Sequence, residues 1–209
     1  MKNEVGPINI GEFTTPCCEL MYVLYMPVRL AGEDKVTIPK SLEGYADFVN
    51  MCLSHEGRNA NGKYVYLTVK RLWVDPNSLG GRTGWHTDGF GTDDINYVWV
   101  DKDPTEFCNQ EFSLSEDHNI SMQQMKEQAQ KENIVQYPEL DVIRINSSHV
   151  HRCPENATSG YRTFARVSIS SDKYNMSGNA HNHDLSYSWV MNPRALTRND
   201  TSVNNLYKH

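Results

Sequence analysis

The stretch GWHTDGFGTDD (residues 84–94) sets a histidine, His86, two positions before a carboxylate, Asp88. Where backbone is extended, positions i and i+2 point to the same side. His86 and Asp88 then project together from the end of a strand, and Gly84, Gly89 and Gly91 let backbone approach closely. Such a pair is half of a metal site, because a cation needs a further ligand from elsewhere in the chain. A polar turn can carry the same letters, so the pair by itself decides nothing.

A second stretch, SSHVHRCPENATSGYR (residues 147–162), supplies what the first lacks. His149 and His151 are again two apart and share a face. Two imidazoles and one carboxylate occupy one side of an octahedral cation and leave the opposite side open, the arrangement that non-haem Fe(II) uses to activate oxygen. Beyond lies GYRTFARVSIS, whose alternation places Arg162, Phe164 and Arg166 on one face of a strand. Arginines on a buried face need an anionic partner. A dicarboxylate cosubstrate fits that need, because a guanidinium grips a carboxylate through two parallel hydrogen bonds.

These residues need a β framework, and the sequence predicts one. KYVYLTVKRLWV (63–74) is rich in β-branched and aromatic residues and reads as a long strand. INYVWV (95–100), a segment within PTEFCNQEF, LDVIRIN (140–146), HVH and YRTFARVSIS (161–170) read as further strands, and YSWVM (187–191) as one more. Two helices are expected. One lies in TIPKSLEGYADFVNMCLSH, with Leu42, Tyr45, Phe48, Val49 and Cys52 on one face. The other is polar, SMQQMKEQAQKEN (121–133), with Ser121 and Gln124 spaced as a capping box. It reads as a solvated insertion or as a lid over the site. Strands dominate the second half, so the fold class is mainly β: a sandwich or open barrel carrying helices.

Composition bounds the rest. With 38% hydrophobic and 22% charged residues, the 209-residue chain has the makings of one ordinary core, not of a disordered segment. A net charge of -6 and a pI near 5.7 provide no broad basic track for phosphate backbones. The five cysteines are odd in number and form no CxxC, so neither a disulfide-linked partner nor a zinc ribbon is expected. MKNEVGPINIGEF lacks the apolar stretch of a secretory leader, and LMYVLYMPV (20–28) is too short to span a bilayer. A soluble, cytoplasmic protein is the expectation. No GxGxxG or GxxxxGK[ST] follows a strand, which removes the common nucleotide-binding fingerprints.

HTD with His86 and Asp88, followed by HRCPENATSGYR with His151 and Arg162, resembles the HxD…H…R signature of Fe(II)/2-oxoglutarate-dependent dioxygenases. The later segment is most similar to prolyl-hydroxylase-like and phytanoyl-hydroxylase-like members, and the likeness covers about residues 60–172. The resemblance implies a double-stranded β-helix (jelly-roll, cupin-like) core within a single domain, 1–209, with both terminal extensions packed on it. It implies Fe(II) on His86, Asp88 and His151, with 2-oxoglutarate and O2 as cosubstrates and the far carboxylate of 2-oxoglutarate on Arg162. His149 stands as the alternative to His151, and Arg166 as the alternative to Arg162. The implied activity is oxidation of a C–H bond, with 2-oxoglutarate and O2 converted to succinate and CO2. The other readings open at this point are an isomerase or hydrolase using the same metal ligands, and a non-enzymatic β-sandwich.

Substrate contacts are sought in the loop and strand after Asp88. Trp85, Phe90, Asp93, Asp94, Asn96 and Tyr97 are candidates, against core or solvated-turn roles for each. Tyr64 and Tyr66 share a face and are candidates for the cosubstrate. A small molecule is the first expected substrate, with a nucleobase or a protein side chain also open. HNH (181–183) is read as a surface loop and Cys17-Cys18 as small packed residues.

Overall fold

A computed structural model describes residues 6–194; residues 1–5 and 195–209 lie outside it, and with them part of MKNEVGPINIGEF and the ends of the 1–209 domain. The strands are β1 (Ile8–Glu12), β2 (Met21–Arg29), β3 (Tyr64–Val74), β4 (Ile95–Val100), β5 (Glu106–Cys108), β6 (Ile134–Gln136), β7 (Asp141–Asn146), β8 (His151–Arg152) and β9 (Gly160–Ser170). The α-helices are α1 (Ala46–Glu56) and α2 (His118–Gln128). The chain is mainly β, in two antiparallel sheets. The larger has the order β1-β7-β4-β9-β3-β2 and the smaller β6-β5-β8. No described helix is long and apolar enough to cross a membrane.

The larger sheet is organised by β3 and β9, which pair along their whole length from Tyr64↔Ser170 to Val74↔Gly160. Alternation gives each strand two faces. Val65, Leu67 and Val69 of β3, Ala165, Val167 and Ile169 of β9, and Tyr97 and Trp99 of β4 face one way and pack with Phe48, Val49 and Cys52 of α1. That is the main core. On the opposite, inner face, Val98, Ile143 and Ile145 meet Phe107 of the smaller sheet, with Phe164 against them. The space between the two sheets therefore receives Arg162, Phe164, Arg166 and Ser168, the positions of β9 that point away from α1.

One charged group crosses the main core. Glu56, at the end of α1, accepts from Arg144 Nε at 2.9 Å, Arg144 Nη2 at 3.3 Å and Tyr97 Oη at 2.7 Å. Tyr97 Oη also lies 2.9 Å from His55 Nδ1. Burial alone would raise the Glu56 carboxyl, but the hydrogen bonds from Arg144 and Tyr97 outweigh it and hold it below the usual carboxylate range. Tyr97 thus faces α1, not the space between the sheets.

The structure departs from the sequence expectations in several places. β1 and β2 hydrogen-bond into the larger sheet at its two edges, so the sheet extends beyond residues 60–172. LMYVLYMPV is most of β2; Pro27 within it is tolerated because β2 is an edge strand. The polar helix starts at His118, because the Asp117 side chain caps it by accepting from the backbone N–H of Asn119 and Ile120. Ser121 lies inside that helix with its hydroxyl on His118 O, and Gln124 reaches to Ser115 N instead. α2 packs through Met125 on Trp85, Cys108 and Val150, which include the chain neighbours of His86 and His151. HVH is a strand only from His151 onward. YSWVM is not a strand: it belongs to an irregular segment whose regular pairing is a single Met176↔Asn192 bridge.

Arg144→Met would strand the Glu56 carboxylate in the core and should lower the unfolding free energy by about 3–5 kcal/mol, measured by urea denaturation at neutral pH. Because the Glu56 pKa is depressed by folding, its contribution is present above the unfolded carboxylate pKa and is lost as pH falls through the folded value. Glu56→Gln should accordingly flatten the acid limb of the stability curve; an unchanged limb would show that the carboxylate is not held as described.

Candidate metal centre

His86 and His151 face each other across an antiparallel bridge. The His86 N–H donates to His151 O at 3.0 Å and the His151 N–H donates to His86 O at 2.8 Å. Directly opposed residues in such a bridge point to the same side, and the two imidazole centroids are 4.5 Å apart. Asp88, two residues after His86, enters the same space with Oδ2 3.6 Å from His151 Nε2. One ligand atom from each of His86, Asp88 and His151 lies within 4.8 Å of the others. The three residues could hold a metal ion.

The imidazoles are set for that task by their backbone. His86 Nδ1 lies 2.8 Å from Gly84 O, and His151 Nδ1 lies 2.9 Å from His149 O. A carbonyl only accepts, so each Nδ1 carries the proton and each Nε2 keeps its lone pair for a ligand. Burial and the neighbouring His151 push the His86 pKa down to about 3, which keeps it neutral and ready to bind a cation. Asp88 is half-buried among these groups. Burial would raise its carboxyl, but Arg166 beside it holds the carboxyl well below the usual range. The same carboxylate keeps the Arg166 guanidinium charged against its own burial. Arg166 Nη1 donates to Asp88 Oδ2, and its Cζ sits 4.6 Å from the centre of the Tyr25 ring.

Asp88 opens a tight turn in which the Thr92 N–H and hydroxyl both donate to Gly89 O, at 2.9 and 2.7 Å. Gly89 has φ +69°, and a Cβ there would come within 2.8 Å of Asp94 and Thr92, so this position needs glycine. Gly84 and Gly91 have open space at the Cβ position, so close approach is not their reason for being glycine.

The two histidines left open by the sequence separate cleanly. His149 Nδ1 accepts from Asn146 N at 2.9 Å and helps close the turn before β8; it is not in the cluster. The arginines also separate. Arg166 lies on Asp88, whereas Arg162 donates from Nε to Lys102 O and Asp103 O (3.0 and 3.2 Å) and from Nη2 to Asp103 O (3.1 Å). Between them on the same face stands Lys70, which pairs with Phe164 in the β3–β9 ladder. Lys70 is half-buried. Its Nζ lies 5.4 Å and 5.9 Å from the Tyr22 and Phe164 rings, and among the described residues it makes no ion pair or hydrogen bond. Burial and the adjacent Arg166 lower its pKa.

Lys70 is the residue that sequence reading missed. It lies in a run of strand formers, and only the ladder register, with Thr68 opposite Arg166, puts it in phase with the arginines.

The proposed substrate contacts scatter. Trp85 and its partner Arg152, 4.3 Å over the ring, belong to the packing beneath α2. Phe90 packs on the same cluster. Asp93 is exposed and paired with Lys63 at 2.8 Å. Asp94 is buried and accepts from Tyr174 Oη at 2.6 Å. Asn96 accepts from Ser168 Oγ at 2.5 Å on the inner face. Tyr66 Oη donates to Asp172 O, and its ring stacks on Tyr174 at 4.3 Å, while Tyr64 stacks on Tyr66. Neither Tyr66 nor Asp94 reaches the cluster through these bonds.

Comparison of the chain with protein-family models, with curated proteins and with solved structures finds no match.

A cation held by the native state alone stabilises it by about 2.7 kcal/mol when free metal is at 100 times its Kd. Mn(II) added to the anaerobic protein should give that increment in a thermal or urea melt. His151→Ala should abolish it and His149→Ala should keep it; the reverse result would reassign the ligand.

Proposed function

We propose that this protein is an Fe(II)- and 2-oxoglutarate-dependent dioxygenase on a double-stranded β-helix core. The observation that carries the reading is the meeting of one nitrogen from each of two imidazoles and one carboxylate oxygen within 4.8 Å, beside a row of three cationic side chains. The two antiparallel sheets, with the His86–His151 bridge tying a loop after β3 to the smaller one, support the jelly-roll assignment. Bound Fe(II), with 2-oxoglutarate and O2, would supply the oxidising power to hydroxylate a C–H bond while 2-oxoglutarate becomes succinate and CO2.

The chain's own part is positioning. His86, Asp88 and His151 take one side of the cation. Arg166 keeps Asp88 ionised and fixes its Oδ2, so the carboxylate would be ready to help hold a metal. The far carboxylate of 2-oxoglutarate would go to Lys70, the cation on this face with neither an ion pair nor a hydrogen bond among the described residues, with Arg162, bonded only to main-chain carbonyls, as its neighbour. A half-buried ammonium is unfavourable without an anion, and a cosubstrate carboxylate restores the balance. This row also favours the dioxygenase over an isomerase or hydrolase on the same ligands, which would have no use for a built anion site next to the metal.

Lys70→Met should weaken 2-oxoglutarate binding at least tenfold, about 1.4 kcal/mol, with Fe(II) affinity unchanged, in anaerobic calorimetry on the iron-loaded protein. Arg162→Leu should weaken it less and also lower stability, because Lys102 O and Asp103 O lose their donors. Protein that binds Fe(II) stoichiometrically but neither binds 2-oxoglutarate nor converts it to succinate would sink the proposal.

A further inference from the structure

The segment after β9 has no regular secondary structure, yet it is fastened with care. Ala180 N donates to Leu24 O at 2.8 Å. Asn182, fully buried, donates from Nδ2 to Pro27 O and Thr37 O, both at 2.9 Å. The segment closes on itself where Asn192 N bonds Asn175 O and Ser177 N bonds Asn192 O, each at 2.8 Å. HNH (181–183) is thus a surface loop anchored by its central asparagine. What the fastening builds is a cavity of about 290 Å³ between this segment and β2, walled by Tyr25, Tyr174, Tyr187, Trp189, Met191 and Ser188.

Tyr25 joins that cavity to the metal centre. It sits at an irregularity of β2 between Val23 and Met26, with φ +45°, an unusual value for a bulky residue. Its N–H donates to Thr68 Oγ1 at 2.9 Å, a side chain of the inner face. The bulge turns the ring so that Arg166, bonded to Asp88, lies on it, while the ring meets Tyr174 edge-on at 5.1 Å and 89°. A strained aromatic held between a ligand's counter-ion and an open cavity is the kind of feature that function retains.

The lining sets the ligand's chemistry. Besides the tyrosine hydroxyls, the polar groups of the lining are Ser188, Asn179 and the His181 imidazole; no carboxylate, ammonium or guanidinium lines the cavity among the described residues. An anion would be desolvated there without a fixed ammonium or guanidinium in the lining, and a cation would have ring faces alone in place of its water. Ring faces and edges suit another ring, and the volume, near the lower end for small-molecule sites, suits one or two fused rings. We infer that this cleft binds an uncharged, planar aromatic substrate and presents it to the metal centre. The inference rests on the dioxygenase reading for its reaction but on the cleft alone for its binding.

Indole is the probe, with choline and indole-3-acetate as charged counterparts, followed by proton NMR on the Mn(II)-loaded protein. Indole should bind tighter than either counterpart, and bound Mn(II) should broaden its resonances through proximity. Trp189→Ala and Tyr187→Leu should each weaken indole at least tenfold, with Mn(II) affinity within twofold of wild type as the check on folding. His86→Ala should remove the Mn(II) broadening and keep the indole binding. The inference is overturned if indole does not bind, if a charged counterpart binds tighter, if the Trp189 and Tyr187 variants bind indole unchanged, or if indole binds without broadening by bound Mn(II). Failure of Mn(II) to bind at all would instead sink the metal reading, and the indole arms would still test the cleft.

Discussion

The reciprocal main-chain hydrogen bonds between His86 and His151 join a loop after β3 to the short strand β8. Each bond is worth only about 1 kcal/mol net. Their weight is geometric: an antiparallel bridge sets both Cβ atoms on one side, which brings the imidazoles together without any direct bond between the rings. The carbonyls of Gly84 and His149, one on each segment, then fix the ring orientation. Asp88 needs only the tight turn through Gly89 to join them.

Behind the bridge stands an electrostatic constraint. Arg166 is buried and Asp88 half-buried, and such an ion pair by itself is weak support for stability. Arg166 keeps the carboxylate charged and oriented beside the two imidazoles, as a group that could hold a cation must be. Lys70 and Arg162 extend the positive row along β3 and β9, and their burial calls for an anion. The two sheets supply the low-dielectric walls that make these charges matter, since interactions screened in water are strong between apolar layers.

Much of this architecture was legible in the residues. The strands at 63–74, 95–100, 140–146 and 161–170 appear within a residue or two of expectation, because alternating β-branched and aromatic residues fit only a pleated, half-buried ladder. The apolar face of Leu42, Tyr45, Phe48, Val49 and Cys52 is buried as its helical spacing predicts, although Leu42 and Tyr45 lie in a 3-10 turn before α1. The misses have physical causes. β2 carries Pro27 and a bulge, which break its pattern. The start of α2 follows the Asp117 cap, stronger than the Ser121 spacing that competed with it. YSWVM has strand composition but makes no ladder pairing, and its aromatics pack into the wall of a cleft beside β2 instead.

The sequence by itself determined the donor set and its phase: His86 with Asp88, a histidine near 151, and two arginines on one face of a strand. Local periodicity is enough for that, since it decides which side chains of one element point together. Tertiary structure decided the choices between elements. It put His151 in the cluster and His149 in a turn, and gave Arg166 to Asp88 and Arg162 to main-chain carbonyls. It also added Lys70 to the row and Tyr25 to the cleft. Those outcomes depend on strand register and on a bulge, which arise from pairing between segments far apart in the chain and leave no mark within either segment alone.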